Sequence, residues 1–373
     1  MFKKTYLSTI KTYILISVIT FLLLEVVLAV YIRGAKLKIE LPTYTLQNTQ
    51  NFWFDLNKNY GTAHLPNHSY RQKKTCFDVL YTSNSSGFRD VERKVKEQEK
   101  RVVALGDSFT EGIGVKEQSR LTNLLEKENN IPHINFGMAG NFGTTQYYLL
   151  YKTLAIKYTH EAVLVGILPS NDFIDNDYEI NVKTKPNRYQ PFLHGEYPNY
   201  TIKYLLDSIH KSKARPYKRK FIVKVLKNFT NSYNMLSYIR ARRKIGTIPK
   251  GKLLSPSKIP SYFNYSQKQL NGMRYAIEEI KKIAGNRFVM VYSIPILKEV
   301  NAYRKHGKNP LGVDLKTICT AIGVEYLDLL PQTESLTIQE CEELFLSCDG
   351  HWSEKGNAFA KSKIQSHFTY YKK

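Results

Sequence analysis

Cysteine, acidic residues and long apolar runs are all scarce in this chain of 373 residues. Four cysteines, Cys76, Cys319, Cys341 and Cys348, are too few for a disulfide scaffold, and none lies in a Cys-x-x-Cys or zinc-type Cys/His spacing. Cys341 and Cys348 are seven residues apart, which permits a local bridge in an oxidising compartment; the alternative is a pair of small buried apolar side chains. Twenty glycines without a period exclude collagen-like sequence, and there is no internal repeat or low-complexity tract. A single apolar run and a mean hydropathy of −0.38 exclude a polytopic membrane protein. Against 55 Lys+Arg stand only 32 Asp+Glu, a net charge of +23. That excess points to an anionic partner such as phospholipid headgroups, an acidic polysaccharide or nucleic acid. The apolar residues (42%) and aromatics (13%) are plentiful enough to exclude a disordered chain.

The one apolar run is YILISVITFLLLEVVLAVYI, Tyr13 to Ile32, twenty residues with Glu25 as its only charge. At 1.5 Å per residue it matches the roughly 30 Å hydrocarbon core of a bilayer. Lys3, Lys4 and Lys11 precede it, while Arg33, Lys36 and Lys38 follow, so the basic flanks balance. A short tail ahead of a large domain favours an orientation with the N-terminus inside. The rival is a cleaved signal peptide, but the run is long for one and no A-x-A site follows. The reading is a short cytoplasmic tail (1–12), a transmembrane signal anchor (13–32), a stalk packing on the domain (33–95) and an extracytoplasmic domain (96–373). Glu25 marks either a helix–helix contact or the bilayer interface.

From residue 101 strands and helices alternate. RVVALGDS (101–108), HINFGM (133–138), EAVLVGIL (161–168), RFVMVYSIP (287–295) and VEYLDLL (324–330) read as short buried strands. Helical patterns lie between them; in one, Leu270, Met273, Ile277 and Ile280 recur at helical spacing before Gly285. The expected fold is α/β, a three-layer α/β/α sandwich with a mostly parallel five-stranded sheet. Residues 173–265 interrupt the rhythm as an insertion, loop-like at first and partly helical later. Within it, residues 211–250 hold thirteen Lys+Arg and no acid, interleaved with apolar residues such as Phe221, Ile222, Leu226 and Phe229. Such a segment either contacts an anionic headgroup or glycan or is a solvated basic face.

Ser108 follows Gly106-Asp107 at the C-terminal end of the first strand, where ligands bind in open α/β sheets. The G-x-S-x-G elbow is not met, because Thr110 takes the fifth position. In CDGHWSEKGN (348–357), Asp349 and His351 lie two apart just before the last helix, so the carboxylate can reach the imidazole. NFGMAGNFGTTQ (135–146) follows the second strand with three glycines able to approach a substrate closely. LPSNDFIDN (168–176) reads as a loop after the third strand and offers the Asn171 amide. A nucleophilic serine needs a base, an orienting carboxylate and oxyanion donors, and these four segments supply them.

On those residues the chain resembles the SGNH/GDSL-type hydrolases. GDSFTEG (106–112) is similar to the first block of the family, implying Ser108 as nucleophile and oxyanion donor. NFGMAGN is similar to the second, implying Gly140 as an oxyanion donor, and SND (170–172) to the third, with Asn171 in the same role. DGH (349–351) resembles the last block, with His351 as base and Asp349 as its orienter. Two departures stand out: Pro169 replaces the usual glycine, and the last block is D-x-H rather than D-x-x-H, with Cys348 at the usual acid position. N-terminal anchoring, NSSGFRD (84–90) and the NDFIDN run resemble membrane-tethered bacterial members. The resemblance implies a serine esterase acting on acetyl or acyl esters of cell-envelope glycan or lipid, without metal or organic cofactor. Its alternatives are an O-acyltransferase modifying a surface polysaccharide or a non-catalytic assembly subunit. A nucleic-acid partner is not expected behind an export-type anchor.

Overall fold

The computed structural model describes residues 2–49, 52–53, 55–212, 221–247 and 261–372. In chain order the elements begin with α1 (Phe2–Gly34), followed by the short strands β1 (Asp55–Asn57), β2 (Gly61–Ala63), β3 (Ser69–Lys73) and β4 (Asp78–Thr82). The alternating part opens with β5 (Val102–Gly106), α2 (Ser108–Glu111), α3 (Leu121–Asn129), β6 (His133–Gly137), α4 (Thr144–Thr153) and β7 (Ala162–Ile167). Next come α5 (Pro169–Asn176), α6 (Tyr178–Thr184), the hairpin β8 (Pro191–Glu196) and β9 (Asn199–Tyr204), α7 (Phe221–Phe229) and α8 (Asn231–Thr247). The chain closes with α9 (Gln267–Ala284), β10 (Phe288–Ser293), α10 (Leu297–His306), α11 (Pro310–Ala321), β11 (Glu325–Asp328), α12 (Ile338–Glu343) and α13 (Glu354–His367).

The five expected strands form one sheet in the order β11-β10-β7-β5-β6, and every pairing in it is parallel. All positions of β5, β6 and β7 are buried, so helices cover both faces of the sheet. Continuous apolar runs such as VVALG and AVLVGI are what such doubly covered strands require. Helix α4 packs with α9, and α3 with α13. The buried face of α9 carries Leu270, Met273, Ile277 and Ile280, and Gly285 caps it with φ of 61°. Chain order reverses between β5 and β7, and the crevice at such a reversal, at the strands' C-terminal ends, is where open α/β sheets bind ligands.

Three segments differ from the sequence reading. Residues 33–95, read as a stalk, hold regular structure of their own: β1–β2 and β3–β4 are antiparallel ribbons, and Phe52, Tyr70, Val79 and Tyr81 build a small core with Ile113. Within residues 168–176, Pro169–Asn176 are helix rather than loop. Pro169 occupies the first position of α5, where its missing N–H costs nothing and its φ suits the helix. Cysteine pairing differs as well: Cys348 is bonded to Cys76, 272 residues away, and not to Cys341. Cys341 is free and buried, pointing from α12 towards the Thr333 carbonyl and the Arg304 guanidinium. Of the basic residues in 211–250, Lys213, Arg215, Lys218, Arg219, Lys220 and Lys250 lie outside the described residues.

Helix α1 contains a span, Thr9–Gly34, whose most apolar stretch has a mean hydropathy of 2.6 and which is long enough to cross a membrane. Glu25 makes a helix–helix contact, accepting the N–H groups of Asn231 at 2.6 Å and Ser232 at 3.0 Å at the start of α8. Those N–H groups have no partner within their own helix, and a carboxylate there also meets the positive end of the helix dipole.

Candidate active site

Strand β5 ends at Gly106, and the chain turns at once into α2. The Asp107 carboxylate caps that helix by accepting the Phe109 N–H at 2.9 Å. The turn leaves Ser108 at the mouth of the crevice. Three supports hold it. The buried Arg89 guanidinium donates to the carbonyls of Glu111, Gly112 and Val115, where α2 ends, and stacks 4.3 Å over the Tyr81 ring. Buried Glu111 accepts the Ala139 N–H, tying α2 to the glycine loop after β6, and contacts His64 Nε2 at 3.1 Å. The Asn171 amide, in the first turn of α5, donates to Asp107 at 3.4 Å.

His351 approaches from the other end of the chain. Its Nε2 lies 2.8 Å from Ser108 Oγ, and its Nδ1 is hydrogen-bonded to Asp349. The shortened D-x-H spacing works because the segment forms a tight turn. The N–H groups of Asp349 and Gly350 both donate to the Leu346 carbonyl, and Gly350 between them takes φ of +100°, open to glycine and strained for other residues. The carboxylate thereby folds back to the imidazole two residues on. The His351 ring sits 5.0 Å from Phe109, which in turn meets Trp352 edge-on at 5.2 Å, so the imidazole has little room to rotate.

Two residues that sequence reading missed hold this turn from outside. Lys74, just beyond β3, pairs with the second oxygen of Asp349. Cys76 fastens Cys348 through the disulfide. Burial would raise the Asp349 pKa, but the hydrogen bond to His351 and the Lys74 ammonium outweigh it and hold the carboxyl well below the usual carboxylate range. Asp107 and Asp172 are buried carboxyls beneath the site, and desolvation raises both. Asp172 is matched by the Tyr147 hydroxyl at 2.8 Å and the Leu168 N–H at 2.9 Å. Nothing local marks Lys74 or Cys76 in the sequence, whereas Glu111 and Arg89 fall inside GDSFTEG and NSSGFRD.

The structure therefore brings Ser108, His351 and Asp349 into one chain of hydrogen bonds and sets Asn171 against the residue before Ser108. Gly140, with φ of +103°, lies in the loop pinned to α2, its carbonyl accepting from Thr62 Oγ1 at 2.9 Å. An imidazole so placed can take a proton from the hydroxyl while the carboxylate holds its tautomer. Beside His351 opens a cavity of about 540 Å³, walled by Phe109, Ile296, Leu297, Phe345 and Leu346 and by Lys38 and Lys298. Among the described residues no group of three or more His, Cys, Asp or Glu side chains is arranged to hold a metal ion.

No protein-family model and no curated protein matches the chain. Among solved structures it is similar to a lipase/acylhydrolase from Enterococcus faecalis, with 13% identity, 72% of this chain and 96% of that one covered, and a TM-score of 0.37. It is similar also to a member of the lipolytic G-D-S-L family from Veillonella parvula, at 10% identity, 72% and 98% coverage and a TM-score of 0.37. A third is the lipase Lip_vut3 from a goat rumen metagenome, at 14% identity, 72% and 97% coverage and a TM-score of 0.38.

Proposed function

We propose that this chain is a membrane-anchored serine ester hydrolase of the SGNH/GDSL type. The observation that carries the reading is the continuous hydrogen-bonded line from Ser108 Oγ through His351 to Asp349. Ser108 Oγ adds to an ester carbonyl as its proton passes to His351 Nε2, and the carbonyl electron pair moves onto oxygen. The N–H groups of Ser108 and Gly140 and the Asn171 amide hold that oxyanion, each donor worth roughly 3 kcal/mol where such groups have been removed. Collapse expels the alcohol, which takes the proton from His351, and leaves an acyl-serine. Water then repeats the sequence and releases the acid.

The substrate in this reading is an acetyl or acyl ester of cell-envelope glycan or lipid. Lys38 lines the cavity beside His351 and follows the end of α1, Gly34, by four residues, which supports a substrate presented at the membrane surface. The bridge between Cys76 and Cys348 supports an oxidising, extracytoplasmic setting for the domain. The basic residues of 211–250 then face anionic headgroups or an acidic glycan. A fluorophosphonate probe should label the purified full chain and not its Ser108→Ala variant, and only the parent should hydrolyse aryl acetates. Equal labelling or equal turnover by Ser108→Ala would overturn the reading.

A further inference from the structure

Helix α7 is amphipathic in sequence, with Phe221, Ile222, Leu226 and Phe229 on one side, yet it is docked the wrong way round for a helix in water. Its polar face is the one held by the protein. Asn228 accepts from Thr43 Oγ1 at 2.9 Å and from the Asn48 amide at 3.1 Å, its carbonyl takes the Tyr44 N–H at 2.9 Å, and Lys227 pairs with Glu40. The apolar face points outward: Phe221 is 65% exposed and Ile222 60%, with Leu226 and Phe229 also exposed. Tyr44, set edge-on to Phe229, extends the same apolar surface and is exposed too. An exposed apolar patch built on a deliberately anchored helix marks an interaction surface.

What covers it follows from where α7 ends. After a single intervening residue, Thr230, α8 begins with the two N–H groups bound by Glu25. Glu25 lies nine residues before the end of α1 at Gly34, about 14 Å along a helix axis. Around it Val26, Val27 and Val30 of α1 are themselves exposed. The C-terminal end of α7 therefore sits at a level where α1, outside its contact with α8, is still apolar and exposed. Amphipathic helices that lie in a membrane interface bury their apolar side by roughly 5–10 Å. The surrounding segment has thirteen Lys+Arg and no acid between residues 211 and 250, the charge an anionic bilayer attracts.

We propose that α7 lies in the interface of the bilayer that α1 crosses, with Phe221, Ile222, Leu226 and Phe229 among the lipid acyl chains and the polar side holding the domain. The Glu25 contact makes α1, α7 and α8 one rigid foot, which sets the depth and tilt of the domain. The proposal rests on α1 being a membrane span, and the test separates the two. The full chain is placed in nanodiscs of phosphatidylethanolamine and phosphatidylglycerol, with tryptophan introduced singly as Phe221→Trp, Phe229→Trp, Leu22→Trp in α1 and Val313→Trp on the exposed side of α11. Fluorescence is read as the increment over the two native tryptophans. Brominated acyl chains should quench the probes at 221 and 229 at least half as strongly as the probe at 22. Acrylamide should quench them several-fold less than the probe at 313. Acrylamide access equal to that at 313 overturns the proposal. So does shielding from acrylamide without bromine quenching, which would mean that a protein surface covers α7. Quenching at 22 but not at 221 and 229 removes the proposal and leaves the anchor, and no quenching at 22 removes both.

Discussion

Lys74 and Asp349, 275 residues apart in the chain, form an ion pair that leaves the other carboxylate oxygen of Asp349 on His351 Nδ1. The carboxylate is thus held from two sides, and one of its holders comes from the segment before the sheet. Asp349→Asn should lower kcat/KM by about 10⁴, the cost of a wrong imidazole tautomer in a related geometry. Lys74→Met should cost less at neutral pH, about tenfold, by loosening the same carboxylate. Lys74 is one of the groups that keep Asp349 ionised, so its removal raises the pH at which the carboxylate protonates. The ratio of parent to Lys74→Met activity should therefore grow as pH falls. A ratio that stays constant as pH falls, down to the lowest pH at which both proteins remain folded, would show that Lys74 does not act through Asp349.

The disulfide closes a loop of 272 residues and fastens the residue before Asp349 to the β3–β4 ribbon. Cys76→Ser/Cys348→Ser should lower stability by about 2–4 kcal/mol, because the unfolded chain regains the entropy that the cross-link removes. Activity should fall further than stability alone explains, by about 10²-fold, since the turn carrying His351 is freed on one side. Urea titration and aryl-ester turnover below the unfolding transition separate the two effects. Unchanged turnover would assign the bridge to stability only.

Gly350 is the residue that makes the two-residue spacing of Asp349 and His351 workable. With φ of +100° and no heavy atom near enough to meet an added Cβ, Gly350→Ala strains the backbone without a clash. The cost is about 1–2 kcal/mol locally. The expected result is a folded protein whose kcat falls at least tenfold, against an unchanged Ser347→Ala control in the same turn. Parent-like kcat in Gly350→Ala would show that the carboxylate reaches the imidazole without the turn.

Glu299 caps α10 by accepting the Ile296 N–H at 2.9 Å, yet it is almost wholly buried, and desolvation pushes its pKa up to about 7. Between the free side chain's value near 4.3 and about 7, the native state keeps a proton that the unfolded chain has lost. Stability should therefore fall as pH rises through that window. Glu299→Gln keeps the capping acceptor and removes the titration. Its stability relative to the parent should improve from pH 5 to pH 8 in urea titrations. A difference that stays constant would mean that Glu299 is ionised in the native protein throughout.

Much of this protein is written in local patterns. Runs such as AVLVGI have no polar position, so they suit only strands covered on both faces, and alternation with helices makes their sheet parallel. The spacing of Leu270, Met273, Ile277 and Ile280 marked the buried face of α9 for the same reason. Ser108, Asn171, Asp349 and His351 could be named because each stands at a strand end or in the loop before the last helix, the places a parallel sheet brings to one edge.

Other features depended on neighbours that no sequence period records. Cys348 had a candidate partner seven residues away at Cys341, but α12 turns Cys341 inward, and only the folded β3–β4 ribbon brings Cys76 to bonding distance. Lys74 is one lysine among many until that ribbon sets it beside Asp349. Pro169 reads as a loop residue by composition, and the end of β7 makes it the first residue of a helix. The apolar stripe of α7 is plain in the sequence, but periodicity would bury it. Contacts to Glu40, Thr43 and Asn48 turn it outward, because hydrogen bonds and an ion pair on the polar side decide which face the protein keeps. Periodicity tells which residues share a face; tertiary contact tells what that face meets.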